Sequence, residues 1–163
     1  MAIVEVTSRP ITVDHVKIAC RRSFPEVRAA LAARLPELDA KIIPLLSSGD
    51  QAAIQDYEQR GPKLYIFLER DHGGLLTIAG QTRNAVQYEI GNPITASRMT
   101  RHNLGAALYA PLRVALLEYE NGEVVFEYDR PSSLFGQFGD EHVRDVGLYL
   151  DRKLEAVLVE AAG

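Results

Sequence analysis

The side chains that could perform chemistry lie far apart along the sequence. The four histidines, His15, His72, His102 and His142, fall in different segments and form no His-x-His or His-x-x-x-His pair. Zinc or iron would need them to converge with carboxylates in the folded chain, so we interpret them as separate surface or turn residues and expect no metal and no cofactor. Asp71-His72 stands in a glycine-rich segment and could act as an oriented base, although the tip of a β-hairpin is the favoured interpretation.

Candidates for a catalytic nucleophile are few. Cys20 is the single cysteine, so no internal disulfide can form, and its arginine neighbours could activate the thiol. A buried, unreactive side chain is the commoner outcome for this residue type. The loop serines at 47–48 and 132–133 lack a Gly-x-Ser-x-Gly elbow, and no glycine-rich phosphate loop is present. Because active sites assemble from residues that are distant in sequence, the question of enzymatic activity stays open.

Basic residues gather around one predicted short helix. Arg98, Arg101 and His102 have helical i, i+3, i+4 spacing, and Arg113 follows on the next strand. Their guanidinium groups could hold an anion such as a carboxylate. A solvated helix face is the favoured interpretation, since cations are common near helix ends.

The candidate ligand-binding residues are Tyr88, Asn92, Arg113 and Tyr128. Asn92 belongs to a Gly-Asn-Pro turn, where an amide could face a ligand, although these residues also suit an ordinary strand-ending turn. Tyr128 is two residues from Phe126, so the two side chains share one face of a strand. Such an aromatic face can be plain core, or it can line a cavity between the sheet and the C-terminal helix.

Length and composition describe an ordinary globular domain. The chain has 163 residues, 47% of them hydrophobic, 25% charged, and a net charge of −4. This size suits one domain, and we expect residues 1–10 to be a flexible lead-in and 11–163 a single domain. Interspersed charges argue against a nucleic-acid partner. The sequence has neither a basic signal peptide nor an apolar run of roughly 20 residues, so we expect a cytoplasmic protein with no membrane partner.

Hydrophobic periodicity predicts a mixture of helices and strands. A strand within 11–22 is followed by a helix that begins at the capping-box residues Ser23 and Glu26. Asp50 is expected to cap a second helix after an apolar link at 41–46. Strands are then predicted at 64–68 and 75–79, paired across the 71–74 turn, with another over 86–90.

The C-terminal half carries the clearest signals. A short helix is predicted at about 94–103, followed by a hairpin over 112–128 that turns at Asn121-Gly122, a pair typical of a type I′ turn. A loop is expected over 131–139. The last helix, over 140–160, has an apolar stripe on one side. The element order predicts an α+β fold, with helices packed on one face of an antiparallel sheet.

Several of these features resemble a known family. The motifs are Gly91-Asn92-Pro93, Met99, Pro111-Leu112, Asn121-Gly122, and Tyr128 with Pro131. Together they resemble the domain-of-unknown-function family DUF302 over roughly residues 85–135. The resemblance implies a TBP-like arrangement, β-α-β(4)-α, which is often dimeric, and it brings no established activity.

Three functions follow from these observations. The first is a domain that binds a small-molecule ligand in a pocket between the sheet and the C-terminal helix. The second is a structural module that forms a homodimer through its sheet. The third is an enzyme that uses either the cluster Arg98, Arg101, His102 and Arg113 or the Asp71-His72 pair.

Overall fold

The protein folds around one five-stranded antiparallel sheet. A computed structural model describes residues 3–163, and its strand order is β1-β5-β4-β3-β2. The strands are β1 (His15–Ala19), β2 (Tyr65–Asp71), β3 (Ala85–Gly91), β4 (Leu112–Glu118) and β5 (Val124–Asp129). Every neighbouring pair in this sheet is antiparallel.

Helices occupy the connections and the C-terminus. The α-helices are α1 (Phe24–Arg34), α2 (Ile42–Ser48), α3 (Gln51–Arg60), α4 (His72–Leu75), α5 (Pro93–Thr100), α6 (Pro131–Phe135) and α7 (Glu141–Ala162). Three short 3₁₀ segments lie at Leu76–Ala79, Leu104–Tyr109 and Gly136–Phe138. The predicted α+β class is therefore confirmed. The likeness to the TBP fold stays an expectation that the resemblance supplies. Within residues 3–163, no helix is both long and apolar enough to cross a membrane.

The core lies between the helices and one face of the sheet. Along β3, β4 and β5 the even-numbered residues other than Glu118 are buried, as the strand period of two requires. They pack with the apolar stripe of α7, whose buried members include Val143, Leu150, Leu154 and Leu158. The Asp140 carboxylate caps α7 by accepting a hydrogen bond from the Val143 N–H at 3.0 Å. The long helix is thus held both at its start and along its length.

The opposite face of the sheet is largely uncovered among residues 3–163, except at Tyr65, whose hydroxyl meets that of Tyr57 in α3. Its residues alternate with the core residues along the strands, and we call them the open face: His15, Lys17, Ala19, Leu68, Arg70, Ala85, Gln87, Glu89, Arg113, Ala115, Leu117, Val125, Glu127 and Asp129. Most of these side chains are exposed or half-buried.

The segment after β2 differs from the predicted hairpin. β2 extends to Asp71, the predicted strand at 75–79 is helical, and β2 pairs instead with β3. The prediction was wrong because Leu75, Leu76 and Ile78 are apolar but exposed, so they mark no buried strand face.

Two other segments that were predicted to be irregular are helical in the structure. The apolar link at 41–46 forms most of α2, and the predicted loop at 131–139 forms α6 and a 3₁₀ turn.

At the β4–β5 hairpin Gly122 has φ +83°, but no non-glycine residue among 3–163 has positive φ. A type I′ turn needs positive φ at both of its central residues, so the negative φ of Asn121 excludes that turn type. Instead Tyr119 and Glu123 close a three-residue loop, with Gly122 in the left-handed conformation.

The lead-in keeps no regular structure where it is described. Residues 3–14 form neither helix nor strand and are exposed. The backbone N–H of Asp14 donates to the Ser133 hydroxyl at 3.0 Å, and the Arg9 guanidinium donates to the Gln137 side chain at 3.2 Å. The expected flexibility of residues 1–10 stays a prediction, and the part of it that concerns residues 1 and 2 lies outside the described residues.

Candidate functional site

The four predicted ligand-binding residues do not share one pocket. Tyr88 and Tyr128 point into the core beside Val114, where the cross-strand register aligns all three. Arg113 is one residue from Val114 and therefore faces the other way, onto the open face, where it is exposed. A site that includes both tyrosines and Arg113 is excluded by strand parity.

The two tyrosine hydroxyls are buried without hydrogen-bond partners among the described residues. Loss of contact with water raises the pKa of each phenol to about 12, and the carboxylates of Glu69 near Tyr88 and Glu155 near Tyr128 raise it further. The guanidinium groups of Arg28, near Tyr88, and Arg130, near Tyr128, lower it by less. Both tyrosines therefore act as neutral core side chains. Such buried, unpaired hydroxyls are uncommon in folded proteins.

Asn92 acts as a helix cap at the Gly-Asn-Pro turn. Its side-chain oxygen accepts hydrogen bonds from the N–H groups of Ile94 and Thr95, at 2.9 and 3.4 Å. Its amide nitrogen donates to the carbonyls of Pro62 and Lys63, at 3.3 and 3.2 Å. The amide thus joins the start of α5 to the segment before β2, and all its hydrogen-bonding groups are occupied by the protein.

A pocket lies beside this turn, between the end of the sheet and α7. We call it the corner pocket, and its volume is about 70 Å³, well above the roughly 10–15 Å³ that one water molecule needs. Its lining is mostly apolar and comes from six parts of the chain: Phe67, Gly91, Asn92, Pro93, Thr95, Ala96, Met99, Ala110, Pro111, Leu112, Phe135 and Leu150.

Local features explain why the pocket forms there. The β2–β3 register shifts between Ile66 and Leu68, so Phe67 sits in a β-bulge. A Cβ at Gly91 would contact the Phe67 ring and Pro111 Cβ, each at 3.5 Å. The glycine therefore leaves space between two apolar walls. Asn92 is the one predicted site residue in the lining. The Gly-Asn-Pro turn followed by Met99 was a sequence signal for the part of the lining at 91–99 alone.

The predicted basic cluster does not assemble. Arg98 forms an ion pair with Glu58, and the Arg101 side chain donates to the Ser97 carbonyl of its own helix at 3.2 Å. Arg113 lies on the open face. An anion site that uses all four basic residues is therefore excluded, because their charged groups face different neighbours.

His102 instead meets His142. The two imidazole rings stack with 4.0 Å between centroids and 6° between planes. Asp140 lies beside them, with its Oδ1 3.6 Å from His142 Nδ1. One potential ligand atom from each of the three residues lies within 4.8 Å of the others. The expectation of separate histidines thus holds for His15 and His72 but not for this pair.

The Asp140 carboxylate is ionised in this setting. Its hydrogen bond from the Val143 N–H lowers the pKa of the carboxyl, and the nearby imidazoles lower it further. Both imidazoles are exposed and Asp140 is half-buried. No residue spacing signals this cluster, because His102 reaches it from a distant part of the chain.

The remaining catalytic candidates are structural. Asp71 accepts a hydrogen bond from the Gly74 N–H at 2.9 Å and so caps α4. His72 makes no hydrogen bond with it among the described residues. Burial raises the pKa of the Cys20 thiol, which keeps it protonated. Neither an oriented base at 71–72 nor an activated cysteine is present.

One charged network occupies the edge of the open face. The His15 imidazole lies 3.2 Å from an Asp129 carboxylate oxygen and 3.0 Å from one of Glu127. Glu127 also accepts a hydrogen bond from the Tyr119 hydroxyl at 2.5 Å. These contacts raise the pKa of His15, with the Asp129 hydrogen bond as the largest cause, and lower that of Glu127, with the Tyr119 hydrogen bond as the largest cause.

Together these features define a small α+β domain that has an apolar pocket at one end of its sheet and one sheet face that is largely open to solvent. The sequence profile described as "Domain of unknown function DUF302" matches residues 52–161. The chain therefore belongs to the DUF302 family.

One solved structure shows the same fold. It is described as the crystal structure of an uncharacterized conserved DUF302 protein from Bacillus stearothermophilus. It is 17% identical in sequence, with a TM-score of 0.65, and the similarity covers 90% of this chain and 97% of that one. A comparison with curated proteins gives no match. The similarity at this identity concerns the fold alone.

Proposed function

We propose that the protein binds a small, mainly apolar molecule in the corner pocket. The observation that carries the proposal is the pocket itself, an apolar recess between β4, α5 and α7. This position matches the expected pocket between the sheet and the C-terminal helix, although Tyr88, Arg113 and Tyr128 take no part in it. Small-molecule sites are typically concave and mostly apolar, with few polar groups.

The polarity of the lining indicates the kind of ligand. The Asn92 amide is fully used by the protein, and Thr95 is the other residue of the lining with a polar side chain. No charged side chain lines the pocket. Recognition would therefore rest on shape and on burial of apolar surface, worth about 25 cal/mol per Å². The volume of about 70 Å³ is roughly half that of an engineered apolar cavity that binds benzene. A short alkyl group, or a ring that enters by one edge, therefore fits these properties better than a charged metabolite.

Thermal melting with benzene as the probe tests this proposal. A probe at ten times its dissociation constant adds about 1.4 kcal/mol to the free energy of unfolding. For a chain of this size that raises the melting temperature by about 3–6 °C. The Gly91→Ala variant should lose this increase, because its new methyl group would lie between Phe67 and Pro111.

Gly136→Ala is the matched control. A Cβ at Gly136 would meet nothing within 4 Å, and this glycine does not line the pocket. This variant should melt higher in benzene, as the unchanged protein does. An equal increase in Gly91→Ala, or no increase in the unchanged protein, would count against the proposed site.

A second candidate function, a homodimer formed through the open face, is favoured by the charge order of that face. One row across the sheet reads His15, Asp129, Arg113 and Glu89, with alternating sign. A second copy related by a two-fold axis along the strands would place His15 opposite Glu89 and Asp129 opposite Arg113. Self-complementary surfaces of this kind are what a two-fold interface requires.

Analytical ultracentrifugation of charge variants tests the dimer. Arg113→Glu should shift the protein toward monomer, because it places like charges opposite each other. The double variant Arg113→Glu with Asp129→Arg should restore association by restoring complementarity. Arg152→Glu, on the exposed side of α7, serves as the control. A mass that is the same for all four proteins would contradict this interface.

A further inference from the structure

We propose that His102, Asp140 and His142 form a binding site for a divalent transition-metal ion of the zinc class. His102 lies in the turn after α5, Asp140 and His142 lie at the start of α7, and their potential ligand atoms lie within 4.8 Å of one another. This site is separate from the proposed pocket, since none of the three residues lines it.

The distances are close to those that a bound ion requires. Zinc binds imidazole nitrogen and carboxylate oxygen at about 2.0–2.2 Å, so two of its ligand atoms can be no more than about 4.4 Å apart. Asp140 Oδ1 and His142 Nδ1, 3.6 Å apart, already satisfy this limit. The other separations are at most 4.8 Å, which is no more than a few tenths of an ångström above the limit. The two imidazoles now stack in parallel, and as exposed side chains they can turn their nitrogens toward a shared ion.

The donor set also selects the class of ion. Two imidazoles and one carboxylate suit zinc and its neighbours in the transition series, whereas calcium and magnesium prefer oxygen ligands. The carboxylate supplies a negative charge at the site. Three protein ligands leave a coordination position for water or for a ligand from solution, as in zinc sites that perform chemistry. The structure thus assigns a site with an open position to the surface of this domain.

Isothermal titration with Zn²⁺, repeated with Co²⁺ to follow its visible absorption, tests this proposal. We expect one ion per chain. Removal of a residue that only hydrogen-bonds to a metal ligand already lowers metal affinity by about 10–100-fold. Removal of a ligand itself, in His102→Ala or His142→Ala, should therefore weaken Zn²⁺ binding by at least about tenfold. Asp140→Asn should weaken it as well while keeping the helix cap, because asparagine caps helices as well as aspartate does.

His72→Ala provides the matched control, since His72 is also exposed but lies on α4. It should bind Zn²⁺ like the unchanged protein. Circular dichroism of every variant checks that the fold is retained. The proposal is overturned if the unchanged protein binds no Zn²⁺, if the His102→Ala/His142→Ala double variant binds it equally well, or if Asp140→Asn binds it as tightly as the unchanged protein.

Discussion

Tyr88 and Tyr128 flank Val114 from its two neighbouring strands, and the hydroxyl of each is buried without a hydrogen-bond partner among the described residues. The side chains supply core packing, while their hydroxyl groups give up contact with water for no more than a weak interaction, that of Tyr88 with the Arg28 guanidinium. This relationship distinguishes a packing role from the ligand-binding role that the sequence suggested for both residues.

Removal of either hydroxyl should not destabilise the protein. We expect Tyr88→Phe and Tyr128→Phe each to leave the free energy of unfolding unchanged or to raise it by about 1 kcal/mol, because an unsatisfied buried polar group is removed. Urea denaturation measures this effect. Tyr65→Phe is the comparison, since the Tyr65 hydroxyl is hydrogen-bonded to that of Tyr57, and this variant should lose about 1 kcal/mol. A similar loss in Tyr88→Phe would show that its hydroxyl has a partner in solution.

Leu150→Ala should be strongly destabilising. Leu150 is 3% exposed in the stripe of α7, and its truncation leaves a cavity, so we expect a loss of about 2–5 kcal/mol in the free energy of unfolding. Leu148→Ala lies on the same helix but at a position 41% exposed, and it should change stability by no more than about 0.5 kcal/mol. Equal melting temperatures for the two variants would mean that the stripe is not buried.

Gly73→Ala tests the revised structure after β2. A Cβ at Gly73 would collide with the Arg83 carbonyl and approach the Ala85 backbone nitrogen to 2.9 Å. Because backbone atoms cannot move aside cheaply, we expect a loss of about 1–3 kcal/mol in thermal or urea denaturation. The tip of an exposed hairpin would tolerate the same substitution with almost no loss.

The His15 network should make stability depend on pH. The folded state raises the pKa of His15 above its ordinary value near 6.5, so it binds the proton more tightly than the unfolded state does. The resulting stabilisation is complete below about pH 6.5 and is lost as the pH rises through the folded pKa. The stability advantage of the unchanged protein over His15→Gln should therefore shrink between about pH 5.5 and pH 8. The effect is small because His15 is exposed and water screens its charges.

Urea denaturation of both proteins at the two pH values measures that difference. Asp129→Asn removes the largest cause of the raised His15 pKa, and in that background the pH dependence of the His15→Gln effect should be weaker. A difference that stays constant with pH would show that His15 has the same pKa in the folded and unfolded states.

Local patterns were sufficient to predict much of the fold. The β4–β5 hairpin, the capped α1 and the long α7 each follow from turn residues, capping residues or a helical apolar stripe. The segment at 75–79 was misread because its apolar residues are exposed. Apolar identity alone does not distinguish a short buried strand from an exposed helical turn.

The candidate sites were harder to predict because they depend on contacts between distant segments. Strand parity predicts that Arg113 and its neighbour Val114 face opposite sides of the sheet. That Tyr88 shares the side of Val114, and not that of Arg113, follows only from the β3–β4 register. The corner pocket depends on a bulge at Phe67 that no local motif announces. His102 and His142 meet only because the chain between them returns to the start of α7.

Methyl NMR is the most direct test of ligand binding in the corner pocket. On addition of benzene, we expect shifts for the methyl groups of Met99, Leu112 and Leu150, which line the pocket, and none for the exposed Leu148. The same titration of Gly91→Ala should give no shifts at these three residues, whereas Gly136→Ala should behave like the unchanged protein. Unchanged methyl signals at Met99, Leu112 and Leu150, or equal shifts in Gly91→Ala, would contradict ligand binding in this pocket.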